Sequence, residues 1–241
     1  MTLADAPELR GTFASLDTSW PEFMQQDPVA DRLYGEMVNL YPQLQGLLLD
    51  DDGQPIAKSH AIGFVGPDRV EDLPDRGWEA VLERGVADGR AGRTPTAVSA
   101  IEVAVAPRWQ GQGRSRLMLE RMRASAVSLG VARMYAPVRP SGKSQLPLEP
   151  MADYMIRVRG DGQLHDPWLR THARLGATLV KVCPTSMTIP GTLAQWRAWT
   201  GLPFDVSGTV VVPGALTPVH VDVDQDHAVY VEPNVWMHHP L

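Results

Sequence analysis

The segment from residue 96 to residue 141 constrains the fold most, because strand and helix patterns alternate across it. "TAVSAIEVAVAP" (96–107) is apolar, rich in β-branched residues and closed by proline, which predicts a buried strand. "ARMYAPVRPS" (132–141) predicts a second strand. Between them, one face of a helix is marked by Met118, Met122, Ala126 and Leu129. Two strands joined through a helix are expected to be parallel neighbours.

The region before this segment predicts a mixture of helix and hairpin. Residues 19–43 have a helical pattern in which Pro28 indicates a break or a second start. An Asp/Gly turn between two apolar runs predicts a hairpin over 44–66, and a helix is expected over 76–92. The fold class is therefore expected to be mixed α/β with antiparallel flanks.

The region after it continues the same alternation. "DPWLRTHARLG" (166–176) has an Asp N-cap, a Pro at the first helical position and a Gly end signal, and a strand is expected over 177–189. The last fifty residues predict a short helix and an alternating β-hairpin. We expect one core domain over residues 1–190, with 191–241 as a C-terminal extension packed on the same domain, covering a binding site or forming a dimer edge.

Composition excludes several classes of protein. The chain has 241 residues and a net charge of −6, and no run of five basic residues occurs, which argues against nucleic acid or an anionic membrane as the main partner. No window approaches 18 uninterrupted apolar residues, so no membrane span is expected. The N-terminus lacks signal-peptide features, and a cytoplasmic location is expected.

The metal-binding residue types do not form a known site. The single cysteine, Cys183, excludes an internal disulfide and a multi-cysteine metal site. His220, His227, His238 and His239 have no recognised ligand spacing, and the last two lie at a terminus expected to be loose. No metal is predicted.

The loop "PRWQGQGRSRLML" (107–119) lies between the first strand and the helix. A glycine loop in this position presents backbone N–H groups to one point, and the helix N-terminus adds partial positive charge, which suits a pyrophosphate. The alternative is a plain glycine-rich turn. A dinucleotide fold is disfavoured because the loop is not G-x-G-x-x-G.

This loop resembles the pyrophosphate loop R/Q-x-x-G-x-G/A of the GNAT acyltransferase superfamily. Two registers fit, beginning at Arg108 or at Gln110, and the strand ending Val105-Ala106-Pro107 favours Gln110-x-x-Gly113-x-Ser115. The resemblance extends from about residue 43 to residue 189 and implies the GNAT fold, with a splayed central pair of parallel strands. It also implies coenzyme A chemistry, with acetyl-CoA or malonyl-CoA as co-substrate.

The resemblance also implies where the donor binds. The pantetheine arm is expected along the strand at Val103–Val105, wedged open against "MYAPV" (134–138). Arg108 becomes a loop charge. The residues expected to bind the co-substrate are Val103, Val105, Gln110, Gly111, Gln112, Gly113, Arg114 and Ser115.

His172 is the first candidate catalytic residue. Many GNAT enzymes have a tyrosine four residues before the glycine that ends this helix, which protonates the departing thiolate; here that position is His172, before Gly176. "DPWLRTHARLGA" also resembles malonyl-CoA decarboxylases and the GNAT-like decarboxylase domains of polyketide loading modules, whose histidine is catalytic and assisted by a hydroxyl residue. Ser141 is the expected partner. The alternatives are a buried structural histidine and a turn serine.

Other residues offer weaker candidates. Glu102, on the central strand, could act as a base for an amine or be an ordinary ion-pair partner. Arg139 and Lys143 could hold a carboxylate or be solvated. Cys183 could be an acyl-carrying nucleophile, but a buried strand residue is the favoured interpretation.

Three functional hypotheses follow. The first is acyl transfer from acyl-CoA to an amine or a carrier thiol, with a small-molecule amine or an acyl carrier protein as partner. The second is decarboxylation of malonyl- or methylmalonyl-CoA, with possible S-acyl transfer to a carrier protein. The third is a non-catalytic CoA-binding module. A homodimer is possible.

Overall fold

The computed structural model describes residues 1–16 and 18–241 and contains α-helices on both faces of a mixed sheet. The helices are α1 (Arg10–Ala14), α2 (Pro28–Leu40), α3 (Gly77–Arg90), α4 (Arg114–Ser128), α5 (Met151–Met155), α6 (Pro167–Arg174) and α7 (Leu193–Thr200). The strands are β1 (Gln45–Leu49), β2 (Pro55–Phe64), β3 (Ala97–Val105), β4 (Arg133–Val138), β5 (Thr178–Gly191), β6 (Gly208–Val210), β7 (Val219–Asp222) and β8 (His227–Pro240).

The sheet is antiparallel except at its centre. Its strand order is β1-β2-β3-β4-β8-β7-β6, and β5 pairs with β8 off this path. The parallel pair is β3 and β4, as predicted, and it is joined only at Val98–Met134 and Ser99–Tyr135. Beyond these two positions the strands separate, so from Ala100 onward β3 has no strand partner on the β4 side among the described residues.

Helix starts and ends follow the local sequence signals. Asp27 accepts hydrogen bonds from the backbone N–H groups of Val29 and Ala30, so α2 begins at Pro28, where the sequence indicated a second start. A short 3-10 turn, Glu22–Gln26, replaces the earlier part of the helix predicted over 19–43.

Helix α6 matches its predicted ends, and α4 matches its predicted apolar face. Asp166 caps α6, with Pro167 at its first position, and Gly176 follows the helix with φ +85°. On α4, Met118, Met122 and Ala126 are buried, as the apolar face predicted.

The C-terminal segment lies inside the sheet. β8 pairs with β4 through residues 235–240 and with β5 along most of its length. The prediction that His238 and His239 lie at a loose terminus is therefore wrong, since His239 pairs with Met134 and is fully buried. The division of the chain at residue 190 stays a prediction. No helix among the described residues is long and apolar enough to cross a membrane.

Candidate active site

A cleft of about 820 Å³ opens where β3 and β4 separate. Its floor is formed by residues 100–105 of β3, and residues 136–139 form the opposing wall. The register between β2 and β3 shifts between His60 and Ala61, which interrupts strict side-chain alternation at this point. For this reason consecutive residues of β3, and not only alternate ones, line the cleft.

The glycine loop closes one end of this cleft. Gly111 and Gly113 have φ angles of +73° and +75°, the left-handed region in which a side chain is strained, although open space surrounds both. Gly113 then caps α4 without a side-chain partner, so the first backbone N–H groups of the helix remain free to bind an anion. Arg114 and Ser115 line the cleft beside them.

Two buried donors in this loop lack partners among the described residues. They are the Nε1–H of Trp109 and the Nε–H of Arg114, and the Arg114 guanidinium lies 5.5 Å from the Trp109 ring centre. A buried donor without an acceptor is costly, so both groups fit a site that binds a phosphate-containing ligand.

Other loop residues hold the loop itself. Gln110 lines the cleft, but its side-chain amide donates to the carbonyl of Val105 at 3.1 Å. Gln112 donates to the carbonyl of Arg108 at 3.2 Å, and neither Gln112 nor Gly113 lines the cleft. Arg108 lies outside it, 3.5 Å from Asp50.

Glu102 is the carboxylate on the cleft floor. The indole N–H of Trp20 donates to its Oε1 at 2.8 Å, and the hydroxyl of Tyr34 donates to its Oε2 at 2.6 Å. The ammonium of Lys58 lies 3.7 Å from Oε2. Burial opposes the charge, but the adjacent His60, Lys58 and the two hydrogen bonds outweigh it and hold the pKa of Glu102 below its usual range. Glu102 is therefore ionised at neutral pH.

His60 lies beside Glu102 on the neighbouring strand. Gln45 donates through Nε2 to the carbonyls of Tyr41 and Ala61, so its Oε1 faces His60 Nδ1 at 2.7 Å and that nitrogen carries the proton. His60 Nε2 lies 3.7 Å from Glu102 Oε2. Burial lowers the pKa of His60 to about 4, so the ring is neutral at pH 7.

The sequence alone does not indicate these partners of Glu102. Trp20 and Tyr34 come from the N-terminal region, more than 60 residues away, and no spacing rule connects them to β3. His60 pairs directly with Glu102 across β2 and β3, but α3 lies between these strands in the chain, so no local signal sets their register.

His172 lines the cleft from α6 and is 2 % exposed. Its Nδ1 lies 2.8 Å from Nε2 of His239, and its own Nε2 has no partner among the described residues. Trp168 packs edge-on against the ring at 4.5 Å between centres. Burial, and then His239, lower the pKa of His172 well below its usual range.

Ser141 and Arg139 lie on the same cleft. Ser141 is exposed and makes no hydrogen bond to any described residue, so its assistance to His172 stays a prediction. Arg139 donates through Nε to Glu232 at 2.9 Å and through Nη2 to the carbonyl of Gly214, and it stacks 5.7 Å from the Trp20 ring.

Lys143 and Cys183 are not part of the cleft. Lys143 is fully buried, and its ammonium donates to the carbonyls of Leu146 and Leu216, so it has a structural role and the expectation that it could hold a carboxylate is wrong. Burial raises the pKa of the Cys183 thiol to about 12, which agrees with a buried strand residue. Within residues 1–16 and 18–241, no group of three or more metal-ligating side chains is placed to hold an ion.

A splayed parallel strand pair, a glycine loop at its mouth and an ionised carboxylate on its floor define the class of acyl-CoA-dependent acyltransferases. No protein-family model matches the chain. It is 33% identical over 253 residues to the arginine N-acetyltransferase avaD of Aspergillus versicolor, with 94% of this chain and 87% of that protein covered. The chain belongs to the GNAT acyltransferase superfamily and is an enzyme of the acyltransferase type.

Solved structures show the same fold. The chain is similar to the loading GNATL domain of CurA from Lyngbya majuscula, with a TM-score of 0.61, 18% identity, and coverage of 100% of this chain and 94% of that one. It is also similar to the GNAT-like decarboxylase GphF in complex with isobutyryl-CoA, with a TM-score of 0.56, 17% identity, and coverage of 97% and 95%. At these identities the likeness concerns the fold.

Proposed function

We propose that the protein transfers an acetyl group from acetyl-CoA to a nitrogen of arginine or of a small arginine-like molecule. The observation that carries this proposal is the ionised Glu102 on the floor of a cleft whose other end carries two buried donors without acceptors among the described residues. The 33% identity to an arginine N-acetyltransferase supports the choice of acceptor.

Acetyl-CoA would bind to the glycine loop and β3. The free N–H groups at the start of α4, together with Arg114, Trp109 and Ser115, would hold the pyrophosphate of the co-substrate. Residues Val103–Val105 have backbone groups free on the β4 side and would pair with the pantetheine arm. Because the thioester would then lie between the strands, its carbonyl would face backbone donors of β3.

Glu102 would act on the acceptor. A carboxylate offers about four acceptor positions, and among the described residues Oε1 receives only the Trp20 hydrogen bond. Glu102 can therefore accept a further hydrogen bond, either from an N–H of a cationic substrate or from a water molecule that takes up the proton of the acceptor nitrogen. The acceptor nitrogen attacks the thioester carbon, a C–N bond forms, and the C–S bond breaks to release the thiolate.

Asp31 adds negative charge at this end. It lines the cleft and is exposed, and it makes no ion pair among the described residues. Glu102 and Glu232 are matched by Lys58 and Arg139 respectively, which leaves Asp31 without a described cation partner at this end, while Arg114 faces the phosphate end. A cationic acceptor such as arginine suits that balance.

The test is acetyl transfer with purified full-length protein, acetyl-CoA and arginine, following free thiol and identifying the product by mass spectrometry. Nα-acetylarginine, whose α-amino group is blocked, and norvaline, which has no guanidino group, distinguish the two nitrogens. Acetylated arginine supports the proposal; release of coenzyme A with uncharged amines but not with arginine contradicts it.

Asp31→Asn provides a second readout. We expect a several-fold higher KM for arginine at low salt, because the attraction is lost, and an unchanged KM for acetyl-CoA. Arg69→Gln, a change at an exposed residue outside the cleft, is the matched control and should alter neither constant.

Decarboxylation of malonyl-CoA is the second candidate function. Arg139 favours it, since its Nη1 makes no hydrogen bond to a described residue and the side chain lines the cleft. A free guanidinium nitrogen could hold the malonyl carboxylate. Incubation with malonyl-CoA, with and without an acyl carrier protein, should then yield acetyl-CoA or its carrier-bound acyl group; absence of both rejects this candidate.

A further inference from the structure

We propose that Arg123 and His239 are positioning residues that fix His172 as a neutral imidazole with its Nε2–H toward the cleft, so that His172 donates a hydrogen bond to the acyl-CoA thioester and does not donate a proton. The proposal rests on acyl-CoA chemistry in this cleft, and it assigns a role different from the proton donor implied by family resemblance. It deepens the proposed function by separating charge stabilisation from proton transfer.

The first link is Arg123 on α4. Its Nη1 lies 2.8 Å from His239 Nδ1, and its Nη2 donates to the carbonyl of Pro240 at 3.1 Å. A guanidinium is always charged and can only donate hydrogen bonds. His239 Nδ1 must therefore accept, which places the proton of the neutral His239 ring on Nε2.

The second link joins the two histidines. His239 Nε2 is 2.8 Å from His172 Nδ1, and since the former carries the proton, the latter accepts it. The neutral His172 ring then has its own proton on Nε2. This is the buried atom that has no partner among the described residues, on a side chain that lines the cleft.

Protonating His172 would break this chain of donors. A proton on His172 Nδ1 would face the N–H of His239, and a switched His239 tautomer would turn an N–H toward Arg123. The groups facing the pair are Arg123 from α4, His238 from β8 and the Trp168 ring from α6, and no described carboxylate contacts either ring. Burial, with Arg123 and His238, lowers the pKa of His239 to about 3, so His239 is neutral at pH 7, as His172 is.

A neutral imidazole is suited to one task in acyl transfer. If it gave up the Nε2 proton it would become an imidazolate, which no neighbouring cation contacts directly. Its N–H can instead stabilise negative charge on the thioester as the C–S bond breaks, in the way that neutral histidines polarise carbonyl groups in other enzymes. The coenzyme A then leaves as a thiolate and takes its proton from water, while the proton of the acceptor nitrogen leaves on the Glu102 side.

Nitrogen-15 NMR of histidine-labelled full-length protein tests the tautomer directly. We expect His172 to show a protonated Nε2 and an unprotonated Nδ1 at pH 6 to 9, with the signals assigned by their loss in His172→Gln. An imidazolium at His172 near pH 7, or a proton on its Nδ1, would overturn the proposal.

Arg123→Met and Arg123→Lys separate the positioning role from packing. Methionine keeps the aliphatic stem but removes the donor, so His239 can change tautomer and the nitrogen-15 spectrum of His172 should show a proton on Nδ1 in part of the molecules. Lysine keeps the charge and a donor and should retain the single Nε2–H form. A His172 spectrum unchanged in Arg123→Met, in a variant whose thermal unfolding remains cooperative, contradicts the proposal.

Turnover of two His172 variants tests the role of its N–H as a hydrogen-bond donor. His172→Gln, which can retain an amide donor, should lose less turnover than His172→Ala, for which we expect a loss of about 100-fold, typical of an oxyanion donor. Equal losses in both would overturn the donor role. Because the NMR measurement needs no acceptor, failure of arginine as a substrate would reject the proposed function and leave this inference testable.

Discussion

Glu102 keeps its charge in a buried place because four neighbouring side chains offset the cost of desolvation. Glu102→Gln preserves the shape and removes the charge, so we expect kcat/KM for the acceptor to fall about 100-fold while acetyl-CoA binds as before. Steady-state kinetics and an acetyl-CoA binding titration measure the two effects. Equal loss of acetyl-CoA binding would show that Glu102 only holds the cleft together.

Tyr34→Phe is a milder change at the same site, because it removes one hydrogen bond to Glu102 and keeps the carboxylate. The Tyr34 hydroxyl lowers the pKa of Glu102, so its removal should raise that pKa and move the acidic limb of kcat/KM to higher pH. The charge remains above the new pKa, so activity at alkaline pH should change little. If the pH profile of kcat/KM for Tyr34→Phe overlays that of the unsubstituted enzyme, Tyr34 does not set the pKa of the catalytic carboxylate.

Cys183 should not react with thiol reagents in the folded enzyme. It is fully buried and its thiol pKa is raised to about 12, so little nucleophilic thiolate exists at neutral pH. We expect no inactivation by thiol reagents and near-normal turnover for Cys183→Ala, with a stability loss of about 1 kcal/mol from the small cavity. Unfolded protein, which should react fully, is the control.

At the scale of elements, the left-handed conformation of Gly113 at the start of α4 shapes the loop proposed to bind the phosphates of acetyl-CoA. Gly113→Ala strains a left-handed position by about 1 kcal/mol and should weaken acetyl-CoA binding several-fold. Gly130→Ala offers a matched control, because Gly130 has φ +76°, equally open space, and lies at the far end of the same helix. Both variants should lose similar unfolding free energy, and only Gly113→Ala should show a higher Kd. Equal binding by the two would reject the loop as the phosphate site.

Local signals predicted the elements well for physical reasons. Asp27, Asp166 and the glycines act on neighbouring backbone groups, so their effect is readable within a few residues. The place of β8 between β4 and β5 was not predicted, because strand order depends on contacts across about a hundred residues. The chain from Arg123 to His172 was missed for the same reason, since α4, α6 and β8 each contribute one residue.

At the scale of the whole molecule, a buried carboxyl should make stability depend on pH. Burial, and to a lesser extent the neighbouring Glu79, raise the pKa of Asp27 to about 6 despite its two capping hydrogen bonds. The unfolded chain ionises near the ordinary value of 3.8, so the folded state loses stability as pH rises from about 4 to 6 and keeps that penalty above 6.

Asp27→Asn removes this titration and keeps a good helix cap. Relative to the unsubstituted protein, we expect the variant to gain about 2 to 3 kcal/mol of unfolding free energy between pH 4 and pH 7. Urea unfolding at several pH values measures the difference and cancels the other titrating groups. A difference that stays constant with pH contradicts the raised pKa.

The position of β8 has a consequence for how the protein is made. During synthesis β4 and β5 leave the ribosome before β8, the strand that pairs with both. His239 therefore emerges after His172 and the residues that line the cleft. A nascent chain stopped short of residue 227 would expose two unpaired strand edges beside an open cleft, a state prone to association. Ribosome-bound chains of increasing length should therefore stay protease-sensitive in β5 until residues 227–240 have emerged.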